Sequence, residues 1–308
     1  EIIESAYNKV IDKASQEIKY DIVILDFRLH ASDNDETDID LVSGMQILKK
    51  LKAINPGIQV VIFSATNKVW NLQALLEAGA ITNWINGFIV KESIYNSVDS
   101  EFTKTNIHNF LSLVDSSFKR SYLKSVWQNK MTIQNHFDTN PLKKFFPSNL
   151  ELLKALGYQK LILEELHISY SILENKQENK YSVVMLSLYK ILECLSDIFI
   201  TSEDSKGKLL YWDKSEVKYC NYSKGKYNLV SKNKDINSNS YNSTSNKVQC
   251  LIREKLNLSE NKISKFIFEI SKYRNDYIHP KNRFTLRELE SKDLAKWFDH
   301  IKIILVKI

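Results

Sequence analysis

The sequence has few cysteines and none of the short motifs that mark zinc, nucleotide or serine chemistry. Its three cysteines, Cys194, Cys220 and Cys250, lie far apart without a Cys-x2-Cys pair. This spacing argues against a zinc site and against a disulfide framework. The chain has no His-x3-His arrangement, no Gly-rich phosphate loop and no Gly-x-Ser-x-Gly elbow. Zinc, P-loop and α/β-hydrolase chemistries are therefore poor expectations.

Long apolar runs are also missing. No run approaches the roughly 18 residues needed to cross a bilayer, and no signal-peptide pattern is present. These features predict a soluble, cytoplasmic protein with no membrane partner. A length of 308 residues predicts two domains, each with its own core. The first residue is Glu1 rather than methionine, which favours a fragment of a longer protein.

Charge is unevenly distributed along the chain. The whole sequence carries 43 Lys and Arg against 37 Asp and Glu. Acidic residues outnumber basic ones in residues 1–100, and the basic excess lies entirely in residues 101–308. A basic second part beside an acidic first part fits a polyanion-facing module joined to a module with another role. A lysine-rich surface that only confers solubility is the alternative.

Residues 1–100 alternate between short apolar runs and amphipathic stretches. This alternation predicts a parallel sheet covered by helices. The predicted strands lie in 21–26, 58–63 and 81–90, and the predicted helices in 2–18, 43–54 and 69–78. Ser43 is the predicted cap of the middle helix, which Asn55-Pro56-Gly57 should end.

Asp26, Ser64 and Lys91 each follow a predicted strand, at the edge where open α/β sheets place their ligands. Their order and spacing resemble the receiver domain of two-component response regulators. The resemblance implies that Asp26 is the phosphoacceptor, Ser64 the switch hydroxyl and Lys91 the lysine that pairs with the phosphoryl group. It also implies a histidine kinase or another upstream signalling protein as a partner.

The resemblance to receivers is incomplete at two places. It starts only at the second helix of the family, so the strand that supplies the acidic pair for Mg²⁺ is missing. Mg²⁺ is therefore expected at the receiver site only if a missing N-terminal strand supplies ligands. An acidic loop after Asp26 is either a metal-binding loop or, as we favour, a solvated insertion; it contains Asp33, Asp35, Glu36, Asp38 and Asp40.

From residue 149 the pattern becomes that of long helices. We predict a receiver-like domain over 1–115, a partly helical linker over 116–148 and a helical bundle over 149–308, with a Lys/Tyr/Asn-rich insertion at 201–247. The four bundle helices are predicted at 150–173, 181–200, 259–278 and 286–304. Within the insertion we expect a hairpin at 211–230 and a disordered loop at 231–246, with RNA contact by its aromatic and lysine side chains as a lesser alternative.

The stretch from Tyr273 to Pro280 combines a guanidinium and an imidazole near a helix end. Pro280 disfavours helical backbone at His279, so the helix should end at about Ile278. On an uninterrupted helix Arg274 and His279 would lie roughly 140° apart. The break therefore lets the histidine turn back toward the arginine. Arginine binds phosphate with a fixed fork of donors, and histidine transfers protons near neutral pH.

This stretch resembles the Arg-x4–6-His motif of the HEPN family, in which a polar residue follows the arginine; Arg274, Asn275 and His279 match. The resemblance implies an all-helical, often dimeric domain, and many members are RNases. It further implies that Glu193 faces the motif, for which a surface glutamate at the bundle edge is an equal alternative. The other interpretation of the motif is a structural pair, with Arg274 bonding a carboxylate and His279 capping carbonyls.

Together these features predict an α/β plus all-α protein: a receiver-like (flavodoxin-like) parallel sheet followed by a HEPN-type helical bundle. The predicted function is endoribonuclease activity without a metal or other cofactor, leaving 2′,3′-cyclic phosphate ends, by a homodimer that acts on RNA. A stress-response, toxin or phage-defence setting is suggested by analogy alone. The alternatives are a non-catalytic dimerisation or partner-binding module and, less favoured because no helix-turn-helix pattern is present, a DNA-binding regulator.

Overall fold

The structure is a computed structural model that describes residues 8, 20–29, 33, 39–64, 84–91, 100–139, 146, 149–175, 180–203, 209–213, 216–219, 244–252 (side chains in part), 256, 258, 261–278 and 289–308. The chain divides into two compact units, Glu1–Gln128 and Asn129–Ile308. Each unit is described below by itself.

The first unit contains a three-stranded parallel sheet. Its strands are β1 (Ile22–Leu25), β2 (Gln59–Ser64) and β3 (Gly87–Val90), in the order β1-β2-β3. Leu25 lies opposite Ile62, and Ser64 lies opposite Val90. The predicted strands are confirmed, although the third occupies only the last four residues of its predicted range. All three strands end at the same edge of the sheet, which positions the residues that follow them.

Helices cover both faces of this sheet. Val60 and Ile62 of β2 belong to a buried cluster with Met45, Leu48 and Leu51 of α1 (Ser43–Ile54). On the other face the ring of Phe63 lies 5.8 Å from that of Phe110, on α2 (Ser100–Arg120). Side chains alternate across a strand, so β2 packs side chains against both helices. Burial on both faces explains why its sequence is a nearly continuous apolar run.

Ser43 does not cap α1 as predicted. It is the first residue of the helix, and the preceding Val42 makes no side-chain capping bond. The Ser43 hydroxyl instead donates to the Asp33 carboxylate at 2.5 Å. The predicted end of the helix is correct: Asn55 follows Ile54, and its side chain accepts a bond from the Gly57 amide at 2.8 Å. The helices predicted at 2–18 and 69–78 lie outside the described residues, apart from Asn8.

The predicted linker is largely helical. The helix α2 continues to Arg120, and α3 follows at once (Tyr122–Thr139). The helix α3 lacks a clear amphipathic pattern because two of its buried residues are polar. Asn129 donates to Asp299 at 2.6 Å, and Lys130 lies 3.2 Å from Nδ1 of His167. Polar residues that make buried contacts carry no hydrophobic periodicity, so the sequence pattern gave too little weight to helix here.

The second unit is a bundle whose central element is α5 (Lys180–Phe199). This helix packs against α4 (Asn149–Glu174), α6 (Thr244–Cys250), α7 (Asn261–Ile278) and α8 (Ser291–Val306). The four long helices of the bundle are confirmed within a few residues of their predicted bounds. The end of α7 at Ile278 is also as predicted, two residues before Pro280.

A small antiparallel sheet follows α5 without a loop. Its strands are β4 (Ile200–Glu203), β5 (Leu209–Asp213) and β6 (Glu216–Tyr219), in the order β4-β5-β6. The predicted hairpin at 211–230 is therefore confirmed in part: it starts at Leu209 and pairs with a further strand, β4, while residues 220–230 lie outside the described residues. Tyr211 is buried against Cys250. Cys250 is disulfide-bonded, which the wide cysteine spacing did not predict, and Cys194 is a buried free thiol. Of the disordered loop predicted at 231–246, residues 231–243 lie outside the described residues, and residues 244–246 are instead the first residues of the helix at Thr244–Cys250.

The fold class is thus a mostly helical chain with a small parallel sheet, as the α/β-plus-helical prediction requires at that level. Within the described ranges, no helix combines the length and apolar composition needed to cross a bilayer. Neither finding distinguishes one α/β family or one helical-bundle family from another.

His300 makes the stability of the bundle sensitive to pH. Its ring stacks on Phe266 at 5.1 Å, and only 6% of the residue is exposed. Burial, followed by the positive charge of Lys296, lowers its pKa below the ordinary value of 6.5. Asp299 and Glu269 act in the opposite direction but are weaker. The folded bundle therefore holds a neutral imidazole at neutral pH.

We predict that the free energy of unfolding falls as the pH drops through about 6.5, because only the unfolded chain readily takes up this proton. His300→Phe should remove this part of the pH dependence while keeping the ring stack. His108→Gln is the matched control, since it removes an exposed imidazole on α2. Urea unfolding at several pH values between about 5 and 8 measures the free energy of unfolding of both variants. The same pH dependence in wild type and His300→Phe would contradict the prediction.

Candidate functional site

The first candidate site lies at the carboxyl edge of the parallel sheet. Nζ of Lys91 lies 2.5 Å from Oδ2 of Asp26, and both side chains are about one third exposed. Ser64, which is almost fully buried, ends the strand between them. Its carbonyl accepts a hydrogen bond from the Lys91 amide at 2.9 Å. The structure therefore brings together the three residues that the sequence singled out at strand ends.

Lys91 is held from several sides. Besides the Asp26 carboxylate, its ammonium lies 5.2 Å from the centre of the Phe63 ring. An aromatic face attracts a cation and also shields the ion pair from water. The arrangement places a carboxylate beside a fixed cation at a partly open edge. Such a pair suits a nucleophilic carboxylate whose modified form gains negative charge.

A metal ion does not fit this edge by the residues described. Within those ranges, no three His, Cys, Asp or Glu side chains are grouped closely enough to hold one. The Asp26 carboxylate is already paired with an ammonium, which competes with a cation for the same oxygen. We therefore derive no step through Mg²⁺ at this edge.

One member of the acidic loop is a structural residue rather than a solvated one. Asp33 is only 5% exposed. Its carboxylate accepts bonds from the amide of Leu29 at 2.9 Å, from the amide of Ser43 at 3.2 Å and from the Ser43 hydroxyl. Asp40, in contrast, is exposed and pairs with Lys49. Asp33 thus ties the segment after β1 to the start of α1 and corrects the expectation of a uniformly solvated insertion.

The second candidate site is formed around Arg274 on the last turns of α7. The guanidinium lies over the Tyr189 ring of α5, 5.3 Å from its centre, and Nη1 donates to Oδ1 of Asn275 at 3.1 Å. Among the described residues no carboxylate pairs with it. The described residues therefore do not support the alternative in which Arg274 bonds a carboxylate. His279 lies outside the described residues, so its approach to Arg274 stays a prediction.

Tyr189 is a site residue that the sequence reasoning missed. It is mostly buried on α5, and its ring determines where the guanidinium lies. Glu193 follows four residues later and so shares a helix face with Tyr189. The Tyr-x3-Glu spacing on a helix already expected to face the motif was the available signal. Glu193 is partly buried and pairs with Lys190 at 3.1 Å.

Three titratable groups near Glu193, namely Lys190, Tyr158 and Cys194, have raised pKa values. The hydrogen bond to Glu193 raises the pKa of Lys190. Burial is the main cause that raises the pKa of Tyr158, with Asp197 adding to it, and burial also raises the pKa of the Cys194 thiol. These three groups are therefore poor bases or nucleophiles near pH 7. His279, which the sequence predicts as a base, lies outside the described residues.

Comparisons of the chain with protein-family models, with curated proteins and with solved structures found no match. The two family resemblances therefore depend on the residues named above. In the described part of the chain, Asp26 contacts Lys91, with Ser64 on the strand between them, and Arg274 contacts Asn275 and Tyr189, whereas Glu193 pairs with Lys190.

We predict that Asp33→Ala destabilises the first unit by about 1–3 kcal/mol, because two part-buried amides and a hydroxyl lose their acceptor. Asp40→Ala is the matched control from the same loop and should cost at most about 1 kcal/mol, since it removes an exposed ion pair. Urea unfolding with and without a chelator measures both. A loss seen only when divalent cations are present would instead identify the loop as a metal ligand.

Proposed function

We propose that the second unit is a metal-independent endoribonuclease and that the receiver-like first unit regulates it. The observation that carries the proposal is the state of Arg274: a partly exposed guanidinium near a helix end, held by an aromatic ring and an amide, with no carboxylate partner among the described residues. An arginine held in this way keeps its charge available for an anion. A phosphodiester is the anion that the basic second part of the chain favours.

The chemistry assigned to these residues is transesterification within the RNA backbone. His279 accepts the proton of a ribose 2′-OH, and the oxygen attacks the adjacent phosphorus. The bond from phosphorus to the 5′ oxygen then breaks, which leaves a 2′,3′-cyclic phosphate and, after proton transfer, a 5′-OH. Arg274 stabilises the charge that develops on the phosphoryl oxygens, and Asn275 and Tyr189 fix its direction. Glu193 adds a negative charge one turn along α5 from Tyr189, where its pair with Lys190 holds it.

A homodimer is part of the proposal. The reaction needs one group to remove a proton and another to return one, and each chain offers a single histidine in the motif. Two motifs facing each other across a two-fold axis supply both. The state of the Asp26–Lys91 pair would then adjust the enzyme by changing how two chains associate, which is a common form of switching.

The competing function is a non-catalytic partner-binding module. The contact that favours it is the same stacking of Arg274 on Tyr189, which also stabilises the packing of α7 on α5 by about 0.5–2 kcal/mol. In that case the arginine contributes to the fold alone. The two functions differ in what happens to RNA and in what happens to stability when Arg274 is changed.

We predict that the full chain cleaves RNA in the presence of EDTA and leaves 2′,3′-cyclic phosphate ends. His279→Ala and Arg274→Ala should each reduce the rate by about 100-fold or more, because each removes a group that acts in the transition state. Gel analysis of a labelled RNA and mapping of its ends measure this.

Lys272→Ala is the matched control for charge, since Lys272 is an exposed cation one half-turn earlier on α7. It should change the rate by no more than a few-fold. Tyr189→Phe should retain activity and Tyr189→Leu should lose part of it. Absence of cleavage by the wild-type chain, together with unchanged dimers in Arg274→Ala, would contradict the nuclease and support the partner-binding module.

For the first unit we predict that acetyl phosphate adds one phosphoryl group to the chain, detected as a mass increase. Asp26→Asn should abolish it, because the amide is not a nucleophile toward phosphorus. Lys91→Ala should reduce it, because the cation that stabilises the phosphoryl oxygens is lost. Asp21→Asn, at the start of β1, is the control that removes a carboxylate elsewhere. Modification that survives Asp26→Asn would contradict the assignment of Asp26.

A further inference from the structure

The helix α4 carries a row of apolar residues on the face that points away from the bundle. Leu150, Leu153, Leu161 and Ile168 are 78%, 66%, 43% and 45% exposed. With Gly157 they form what we call the α4 stripe. At about 100° per residue all five positions lie within roughly 80° of each other around the helix. The residues that α4 buries, including Ile162, Leu166 and Tyr170, lie on the opposite side.

Gly157 lies in the middle of this stripe. A methyl group placed on it would meet no atom within 4 Å. The bundle itself therefore does not need a glycine at this position, although glycine costs helix stability of about 0.5–1 kcal/mol relative to alanine. A gap between Leu153 and Leu161 lets another helix approach closely or receives a large side chain. Five aligned positions of this kind extend over about 27 Å, since the rise is 1.5 Å per residue.

The charges beside the stripe differ between its two sides. On one side Lys154 is exposed in the first half of the helix and Glu165 lies in the second half, whereas Glu164 on the other side is paired with Lys160 of the same helix at 3.7 Å. Two copies of α4 that pair in antiparallel orientation bring Lys154 of each copy to Glu165 of the other. The same orientation places Leu150 opposite Ile168 and Leu161 opposite Gly157 of the second copy. A parallel pair would bring like charges together, so antiparallel pairing is favoured.

We propose that the α4 stripe is a self-association surface, on which the occupant is α4 of a second copy of this chain around a two-fold axis. A two-fold contact uses the same patch on both partners, and the antiparallel pairing places Lys154 of each copy beside Glu165 of the other. The apolar row supplies the buried centre and the charged residues supply the rim, as in other protein interfaces. The inference goes beyond the proposed nuclease and does not depend on RNA cleavage.

The test measures the oligomeric state of the full chain by sedimentation over the micromolar range. Gly157→Gln should weaken the dimer at least about 10-fold while the fold is unchanged, because the added side chain meets nothing within the monomer but fills the gap. Leu153→Gln should do the same. Phe268→Gln is the matched control, since Phe268 is 65% exposed on α7, outside the stripe, and it should leave the dimer intact.

Charge reversal provides an independent measurement. Lys154→Glu alone and Glu165→Lys alone should each weaken the dimer, and the double variant should restore it. A chain that is monomeric over the micromolar range would overturn the inference. A dimer that is insensitive to Gly157→Gln and Leu153→Gln would overturn it as well.

The outcomes for the surface and for the nuclease are separable. Loss of the dimer in Gly157→Gln, with no RNA cleavage by the wild-type chain, would support the surface and reject the nuclease. RNA cleavage by a dimer that Gly157→Gln leaves intact would support the nuclease and reject the surface.

Discussion

The burial of α5 is the constraint on which the second unit depends. Most of its side chains from Val184 to Phe199 are buried, and helices pack against it from several directions. A helix that is apolar on nearly all sides is stable only when it is covered on all of them. Its positions therefore set where α4, α7 and α8 lie. The helix keeps one polar margin, formed by Tyr189, Lys190 and Glu193. Arg274 of α7 contacts the helix at this margin.

The first unit follows from a different constraint with a similar result. Its parallel strands have to be covered on both faces, so α1 and α2 leave only the ends of the strands open. Functional side chains then collect at one edge because the strands run in the same direction. In both units the apolar core decides the architecture, and chemistry is confined to the few places that the core leaves exposed to solvent.

Much of this architecture was predictable from hydrophobic spacing alone. The three strands, the end of α1 at Ile54 and the end of α7 before Pro280 follow from local patterns that burial reinforces. The helices between residues 116 and 139 were harder to predict, because Asn129 and Lys130 make polar contacts that no periodicity reveals. Tyr189 was missed for a related reason: an aromatic residue in a buried helix has the same pattern whether or not it carries a cation. Contacts between distant residues, such as Asp33 with Ser43, depend on tertiary structure that short-range spacing does not contain.

Lys91 determines which contacts a change at Asp26 would disturb. Its side chain joins the end of β1 to an aromatic ring of β2, while its backbone is bonded to the last residue of β2. A single residue thus fastens three strand ends to one another. If the carboxylate were neutralised, the ammonium would keep its aromatic partner and its backbone bond to β2 but lose its counter-charge. The end of β1 would then be released from this junction, while β2 and β3 stayed joined.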